Sequence, residues 1–280
     1  MTNPIRLGIF GWPVAHSKSP QMHESAAKAL GIALRYERFE VPPEDLAEAV
    51  RASHAAGIDG YNLTVPHKVE IMALLDEVTP AARAIGAVNT VVRRGERYLG
   101  DNTDAPGLVR SLEEAGVQLG GAHVVVLGAG GAARAAVVGL AEAGAKEIRV
   151  LSRRPEQGET LCRSLAEAVG CALESAPLGE AGRHFGGASL LVQATSATLE
   201  SNPGAQAFAD SLPLQALPGG AAVVDMVYKP LETTLLARAS ARGLSTVDGL
   251  GMLLHQGAIA FEMWTGFEPP LDVMRSALSD

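Results

Sequence analysis

A glycine-rich segment in the middle of the chain has the composition and spacing needed to bind a phosphate group. Gly128, Gly130 and Ala133 follow the pattern G-x-G-x-x-G/A, directly after the apolar run 123–127, which predicts a buried strand. Small residues allow a pyrophosphate to approach the backbone, where amide groups and the dipole at a helix N-terminus stabilise its charge. The segment therefore predicts a dinucleotide site. Its members are Gly128, Ala129, Gly130, Gly131 and Ala132.

Two arginines stand where the next strand is expected to end. The predicted strand 147–151 is followed by Ser152, Arg153 and Arg154. A ribose with a free 2′-hydroxyl requires Asp or Glu at this position, whereas a 2′-phosphate requires guanidinium groups. The strand end therefore favours NADP over NAD. The alternative is that the glycine-rich turn binds nothing and that the arginines only form a solvated loop. The occurrence of the turn and the arginine pair together, at this separation, disfavours that alternative.

Two serines near the N-terminus could bind a carboxylate. Ser17 and Ser19 lie in the loop after the first predicted strand, and Pro20 stands at the favoured first helical position. Two hydroxyls beside a helix N-terminus are suited to carboxylate binding. The alternative is that Ser19 is only the N-cap of the helix and Ser17 an ordinary loop serine.

A lysine and an aspartate are candidates for acid–base chemistry. Lys68 follows the predicted strand 61–65 and is expected in the first turn of a helix starting at Pro66, where its charge opposes the helix dipole. Asp104 precedes the predicted helix 105–115. If both side chains converge in a cleft, they could hold a substrate hydroxyl and relay its proton. A solvated lysine and a dipole-complementing aspartate are the alternatives.

The elements that must position these residues alternate between strands and helices along the whole chain. In the first half, strands are predicted at 6–10, 35–41, 61–65, 88–94 and 97–100, and helical segments at 21–30, 45–56 and 68–75. In the second half, strands are predicted near 123–127, 147–151, 189–194 and 221–226, and a last long helix at 250–264. This alternation is typical of α/β folds with mostly parallel sheets.

We therefore predict two α/β domains with a ligand-binding cleft between them. The first is a substrate-binding catalytic domain with a mostly parallel sheet, formed by residues 1–104 and 250–280. The second is a Rossmann-like NADP-binding domain, formed by residues 105–249. The substrate domain is discontinuous because a chain end after a cofactor domain often packs back on the first domain.

Composition and charge exclude several classes of protein. The 280 residues are 47% hydrophobic and 19% charged, which is typical of a globular protein, and the net charge of −8 gives no general attraction for nucleic acid. Cys162 and Cys171 have neither metal-ligand spacing nor the density of a disulfide framework. No signal peptide or long apolar span is evident. We expect a soluble cytoplasmic protein, monomer or homodimer, without metal, nucleic-acid or membrane partners.

Seven motifs, in order along nearly the whole chain, resemble those of the shikimate dehydrogenase family. They are residues 11–20, 62–68, 86–90, 100–104, 128–132, 225–228, and 248–252 followed by Gln256. The resemblance implies an enzyme that reduces 3-dehydroshikimate to shikimate with NADPH, reversibly, in chorismate and aromatic amino-acid biosynthesis.

The resemblance also implies the roles of individual residues. The substrate carboxylate would be bound by Ser17, Ser19 and Tyr228, and the ring hydroxyls by Thr64, Asn89 and Gln256. The reacting C3 oxygen would be flanked by Lys68 and Asp104. The nicotinamide would be lined by Met226 and Gly249, and the 2′-phosphate held by Ser152, Arg153 and Arg154. Whether Lys68 transfers the proton or only stabilises charge stays open.

Three departures from the family pattern concern the helix start and the cofactor. Ala105 replaces a usual glycine, and we expect it to alter only packing at the helix start. Gln193 replaces a usual asparagine and Thr198 a glycine, in a loop that the resemblance places on the nicotinamide side of the cofactor. Gln157 stands where a further arginine is common, which is expected to weaken discrimination in favour of NADP.

Two other functions remain open. A quinate or aminoshikimate dehydrogenase would use the same scaffold, with extra room near Ser17 and Ser19 for the C1 hydroxyl of quinate. A catalytically silent ligand-binding paralogue should have lost Lys68 or Asp104, and both are present.

Overall fold

The chain folds into two compact α/β units. The computed structural model describes residues 3–279. Unit 1 contains Met1–Thr103 and Leu254–Asp280, and unit 2 contains Asp104–Leu253. Each unit has one six-stranded sheet, so the predicted α/β class with two sheets is confirmed. The substrate-binding and NADP-binding roles predicted for the two parts of the chain stay predictions.

The helices and strands alternate along the chain as the sequence pattern indicates. The strands are β1 (Ile5–Gly11), β2 (Leu34–Glu40), β3 (Gly60–Leu63), β4 (Glu77–Val78), β5 (Thr90–Arg94), β6 (Arg97–Asp101), β7 (His123–Leu127), β8 (Glu147–Ser152), β9 (Ala172–Pro177), β10 (Leu190–Gln193), β11 (Ala222–Asp225) and β12 (Ser245–Val247). The helices are α1 (Ser19–Ala29), α2 (Leu46–Ala55), α3 (Pro80–Ile85), α4 (Asp104–Glu114), α5 (Gly131–Glu142), α6 (Pro155–Leu165), α7 (Ala181–His184), α8 (Ala205–Ser211), α9 (Thr234–Ser240), α10 (Leu250–Thr265) and α11 (Leu271–Ser279).

The sheet of unit 1 is mixed, with the strand order β2-β1-β3-β5-β6-β4. β1 is parallel to β2 and β3, and β4 is parallel to β6. β5 runs antiparallel to both of its neighbours, which confirms the predicted pairing of 88–94 with 97–100. Because β1 and β3 are parallel neighbours, their carboxyl ends lie side by side, and the loops carrying Ser17 and Thr64 start there.

Aromatic side chains hold the core of unit 1 and fix α10 against its sheet. Phe10 and Tyr61 stack with their ring centroids 4.6 Å apart, and both are almost fully buried. The Trp264 indole of α10 donates to the Val91 carbonyl at 2.9 Å. A Cβ on Gly60 would collide with that indole, so a glycine is needed at 60 for the helix to approach the sheet.

The sheet of unit 2 is parallel throughout, with the strand order β12-β11-β10-β7-β8-β9. Read from β9, this is the 3-2-1-4-5-6 order of the doubly wound dinucleotide-binding fold, which confirms the Rossmann-like prediction. The order reverses between β7 and β10, and ligands of such sheets bind at the carboxyl ends of the strands beside this point. The glycine-rich segment follows β7 directly.

The helical segment predicted at 68–75 forms only in part and is not an α-helix. The chain forms a turn at Lys68, followed by a short 3₁₀ segment, Glu70–Leu74. The Lys68 carbonyl accepts a hydrogen bond from Val88 N–H at 2.7 Å, and the Met72 N–H bonds three residues back to Val69. The carbonyl that an α-helix would use here is therefore occupied by another segment, and Lys68 does not stand at a helix dipole.

A buried histidine in unit 1 is surrounded by aromatic rings. His23 of α1 has no exposed surface, and its ring stacks on Tyr36 with centroids 4.8 Å apart. Within residues 3–279, neither of its ring nitrogens has a hydrogen-bond partner. Burial lowers the pKa of His23 from 6.5 to about 3, because the charged imidazolium loses its hydration in the core.

We expect acid to destabilise the protein through His23. Below pH 6.5 the unfolded chain binds a proton that the folded chain does not bind until about pH 3, so stability falls over this window by up to about 1.4 kcal/mol per pH unit. The loss between pH 7.5 and pH 5 is about 2 kcal/mol. His23→Phe keeps a stacking ring and cannot titrate. Its free energy of unfolding, measured with urea, should therefore fall by about 2 kcal/mol less than that of the parent protein over the same interval.

The matched control is His16→Gln, because His16 is an exposed histidine of the same unit. This variant should keep the pH dependence of the parent protein. If His23→Phe lost as much stability as the parent protein between pH 7.5 and pH 5, His23 would not be the group that couples folding to protonation.

Candidate active site

The two predicted carboxylate-binding serines lie together at the start of α1. Ser17 and Ser19 are 8% and 2% exposed, and the Ser17 hydroxyl donates to Ser19 Oγ at 3.2 Å. The N-cap of α1 is Lys18, and Ser19 is the first helical residue, so the alternative that Ser19 is only the N-cap is wrong. Two buried hydroxyls at the start of an 11-residue helix form a donor group suited to an anion.

Thr64 and Lys68 lie in the turn that follows β3. The Thr64 N–H donates to the Phe10 carbonyl at 2.9 Å, and a Cβ on Gly11 would collide with the Thr64 methyl group. The ends of β1 and β3 therefore approach closely at this point. The main chain of Lys68 is fixed by its bond from Val88 N–H, and its side chain is half-buried.

Asn89 and Gln256 come together in unit 1 although 167 residues separate them. Asn89 is 2% exposed, and its Oδ1 accepts from the Thr103 N–H at 2.7 Å. Since a main-chain N–H can only donate, the orientation of the Asn89 amide is determined. Its Nδ2 donates to Thr103 Oγ1 at 3.0 Å and to Gln256 Oε1 at 3.4 Å. The amide group thus presents a donor on the side where Gln256 lies.

Asp104 is the first residue of α4 and is 4% exposed. The residue before it, Thr103, is the one bonded to Asn89. The helix start is packed tightly, because a Cβ on Gly139 of α5 would lie 2.9 Å from the Ala105 carbonyl oxygen. Ala105, where the family usually has glycine, is itself 2% exposed in this packing.

The glycine-rich segment forms a tight turn between β7 and α5. Gly128 has φ +114°, and a Cβ there would lie 2.6 Å from the Thr195 methyl group, so only glycine fits. A Cβ on Gly130 would meet no atom within 4 Å, and Gly130 is the N-cap of α5. This open space at a helix N-terminus fits a pyrophosphate. The half-buried residues around it are Ala129, Gly131 and Ala132.

The arginine pair follows β8, the strand next to β7. The Gly128 N–H donates to the Leu151 carbonyl at 2.8 Å, so the two strand ends are adjacent. Ser152 is 5% exposed, and its hydroxyl donates to the Arg154 carbonyl at 2.8 Å. Ser152 therefore shapes the loop, while the side chains of Arg153 and Arg154 are exposed.

Met226 and Gly249 are neighbours in unit 2. A Cβ on Gly249 would lie 2.5 Å from the Met226 carbonyl oxygen, and the Gly249 N–H donates to the Val227 carbonyl at 3.2 Å. Close approach of the two segments therefore requires glycine at 249. Tyr228, the predicted third carboxylate ligand, follows in the same segment and is half-buried.

Two buried polar residues, at the ends of β10 and β11, were not predicted as site residues. Gln193 is fully buried, with bonds from Thr195 N–H at 2.8 Å and to Thr198 Oγ1 at 3.0 Å. Asp225, also fully buried, accepts from the Thr233 hydroxyl at 2.8 Å. Burial raises the pKa of Asp225, and hydrogen bonding partly offsets the rise. The signal in the sequence was a polar residue closing an apolar strand.

The part of the chain that the structure describes shows neither a cluster of metal ligands nor a helix that could span a membrane. Over residues 3–279, no three His, Cys, Asp or Glu side chains are grouped so that they could hold a metal ion. None of the described helices combines the length and the apolar character that crossing a membrane requires.

Three regions of the chain match models of known protein families. Residues 9–91 match the shikimate dehydrogenase substrate binding domain. Residues 111–201 match shikimate / quinate 5-dehydrogenase, and residues 249–278 match the shikimate 5'-dehydrogenase C-terminal domain. Together these regions cover more than half of the chain.

Individual proteins resemble the chain over nearly its full length. A shikimate dehydrogenase (NADP(+)) of Symbiobacterium thermophilum is 46% identical over 277 residues, which cover 97% of this chain and 92% of the relative. The crystal structure of shikimate 5-dehydrogenase from Thermus thermophilus with NADP(H) and shikimate has a TM-score of 0.85 at 40% identity and covers 98% of both chains. Quinate dehydrogenase from Corynebacterium glutamicum with NAD has a TM-score of 0.89 at 32% identity and covers 99% of both chains.

The family models, the identity to these relatives and the two sheet topologies agree, and they confirm the resemblance seen in the seven sequence motifs. The chain belongs to the shikimate dehydrogenase family.

Proposed function

We propose that this chain catalyses the reversible NADP-dependent reduction of 3-dehydroshikimate to shikimate, in chorismate and aromatic amino-acid biosynthesis. The observation that carries the proposal is the buried pair of serine hydroxyls at the start of α1, which suits a small carboxylate. Membership of the family supplies the reaction class. Relatives of similar length are shikimate dehydrogenases (NADP(+)).

The substrate carboxylate is bound by Ser17, Ser19 and Tyr228 in this proposal, and the ring hydroxyls by Thr64, Asn89 and Gln256. Hydroxyl groups can donate to a carboxylate and can both donate to and accept from a ring hydroxyl. The Asn89 Nδ2 donates to Thr103 Oγ1 and, over 3.4 Å, to Gln256 Oε1, and a ring hydroxyl would take the place of Gln256 in the longer bond.

Lys68 and Asp104 act at the C3 oxygen. The Lys68 ammonium stabilises negative charge that develops on this oxygen during reduction and can supply its proton, while the Asp104 carboxylate holds the resulting hydroxyl. A lysine ammonium is a compact cation with three donors, so it can serve both the substrate oxygen and a carboxylate.

The residues of unit 2 fit the cofactor NADP. The turn from Gly128 to Ala132 would hold the pyrophosphate, Ser152 with Arg153 and Arg154 the 2′-phosphate, and Met226 with Gly249 the nicotinamide. Bound NADPH supplies the hydride for the reduction, and NADP accepts it in the reverse direction. The open space at Gly130 and the exposed guanidinium groups support this assignment.

A quinate dehydrogenase is the second candidate, and the observation that favours it is the similarity to a quinate dehydrogenase in complex with NAD. The arginine pair argues for NADP here.

We also propose a cytoplasmic location, consistent with two cysteines that are free thiols, and either a monomer or a homodimer.

The test is an initial-rate assay that follows the absorbance of the reduced nicotinamide, with shikimate and quinate each combined with NADP and NAD. We expect the highest kcat/KM for shikimate with NADP. Preference for quinate or for NAD would replace the proposed reaction by the second candidate. A folded protein that is inactive in all four combinations would favour a ligand-binding paralogue.

A further inference from the structure

An arginine outside the predicted site holds the serine loop of unit 1. The Arg38 guanidinium, on β2, donates to the Ser17 carbonyl through Nε at 3.0 Å and through Nη2 at 2.6 Å. The same Nη2 donates to Gln21 Oε1 at 3.1 Å. The two donors converge on one carbonyl oxygen and belong to one rigid, planar guanidinium group. They therefore restrict both the position and the orientation of the Ser17 peptide group.

The charge of Arg38 is felt at the Tyr36 hydroxyl, which also shares a hydrogen bond with Ser19. Tyr36 lies two residues earlier on β2 and therefore on the same face of the strand. Burial raises the pKa of the Tyr36 hydroxyl, while a hydrogen bond with Ser19 and the positive charge of Arg38 each lower it. One phenol oxygen thus responds to both the serine and the guanidinium, which places the three groups in one electrostatic environment.

The partners of Asn62 fix the direction of the hydrogen bonds that link Tyr36 to the serines. Asn62 Nδ2 donates to the Asn89 carbonyl at 3.0 Å, and a carbonyl only accepts, so Asn62 Oδ1 is the atom facing Tyr36. The Tyr36 hydroxyl must therefore donate to Asn62 Oδ1, at 2.7 Å. Its single proton is committed there, so in its hydrogen bond with Ser19 the Tyr36 oxygen accepts and the Ser19 hydroxyl donates.

The Arg38 side chain is exposed, so solvent partly screens its charge. Over residues 3–279, no carboxylate forms an ion pair with Arg38. Lys18, between the two serines, directs its ammonium to the Leu278 carbonyl at 2.5 Å, toward α11. Arg38 therefore adds positive charge to a site whose direct donors are uncharged serine hydroxyls.

We propose that Arg38 is a positioning residue for the substrate carboxylate, which holds Ser17 by its main-chain carbonyl and supplies a positive charge behind the two serine hydroxyls. This inference rests on the proposed function. It adds a residue to the substrate site that acts through Ser17 and through its charge. Hydride transfer itself does not involve Arg38, so its loss should change substrate affinity and not the chemical step.

The experiment compares Arg38→Gln, Arg38→Lys and the matched control Arg6→Gln. Arg6 is an arginine of the same sheet that donates to a main-chain carbonyl, Ala56, at 2.8 Å. We expect Arg38→Gln to raise the KM for shikimate about tenfold, with kcat and the KM for NADP within about twofold of the parent protein. Arg38→Lys should recover part of the loss because it retains the charge, and Arg6→Gln should leave all three constants unchanged.

A neutral ligand separates the effect of charge from general distortion of the loop. Dissociation constants for shikimate and for its methyl ester are measured by calorimetry on the parent protein and on Arg38→Gln. The variant should weaken shikimate binding about tenfold and ester binding less than about threefold, because the ester carries no negative charge. Equal weakening of both ligands would overturn the assigned role of the Arg38 charge, because the hold on Ser17 would then explain the whole effect.

The outcomes also distinguish this inference from the proposed function. If the parent protein oxidises shikimate but Arg38→Gln behaves like Arg6→Gln, only the role of Arg38 is overturned. If the parent protein neither binds nor oxidises shikimate, the proposed function fails, and the role of Arg38 fails with it.

Discussion

Replacing Lys68 by alanine is expected to lower kcat for shikimate oxidation about a thousandfold, with NADP affinity within about twofold of the parent protein. A positioned acid–base group contributes between about a hundredfold and ten-thousandfold to a rate, and a charge aimed at a developing oxyanion contributes a similar amount. Stability should change little, because the turn is fixed by main-chain and neighbouring contacts. Val88 N–H holds the Lys68 carbonyl, and the buried His67 ring bonds to the Val41 carbonyl at 2.8 Å.

Two further variants make the Lys68 experiment specific. Lys28→Ala removes an exposed lysine from the last turn of α1 and should leave turnover unchanged. Lys68→Arg keeps the positive charge but is a poor proton donor, so its residual kcat shows how much of the effect is charge stabilisation and how much is proton transfer. Normal turnover by Lys68→Ala, with the protein folded, would remove Lys68 from the mechanism.

Unit 2 could be predicted from its sequence because its signals are local. The buried strands β7, β10 and β11 are mainly apolar runs, β8 alternates polar and apolar residues before an apolar pair, and the glycines after β7 show where the chain must turn tightly. The strands that escaped prediction are at or near the sheet edges. β9 is mostly exposed or half-exposed, and β12 is three residues long, so neither carries an apolar run. Their existence depends on pairing with a neighbour.

The turn at Lys68 shows where local reasoning fails in unit 1. Residues 68–75 have a helical pattern, yet a residue twenty positions later, Val88, takes the carbonyl that the helix needed. This bond arises only when the sheet has formed, so a pattern read along a single segment does not contain it. The expectation that Lys68 opposes a helix dipole was wrong for the same reason.

The candidate site could be predicted where a residue type implies a chemistry, and not where a residue acts through others. Serine hydroxyls, a lysine and an arginine pair suggest ligands by themselves. Arg38 looks like one more charged residue on the alternating strand β2, and its importance depends on its two bonds to Ser17. Gln193 likewise closes a strand whose neighbours in the fold decide what its amide can bind.

Substituting both Arg153 and Arg154 by alanine is expected to raise the KM for NADP about thirtyfold and the KM for NAD less than threefold. The two side chains are exposed at the end of β8, so each contact with a 2′-phosphate is partly screened by solvent, and the effect is smaller than for buried pairs. NAD carries a hydroxyl at this position, which loses little when the guanidinium groups are removed. The preference for NADP over NAD should therefore fall about tenfold or more.

Steady-state kinetics with both cofactors at two salt concentrations measures this change in preference. The control variant, Arg163→Ala with Arg242→Ala, removes two other exposed arginines of unit 2 and alters the net charge equally. If the control variant also raised the KM for NADP, the loss of net positive charge, and not specific recognition of the 2′-phosphate, would explain the effect. Equal increases in KM for NADP and NAD in the double variant at 153 and 154 would mean that these arginines bind the shared pyrophosphate. Discrimination between NADP and NAD would then have to come from residues other than this pair. Gln157 could not supply it, because its side chain carries no positive charge.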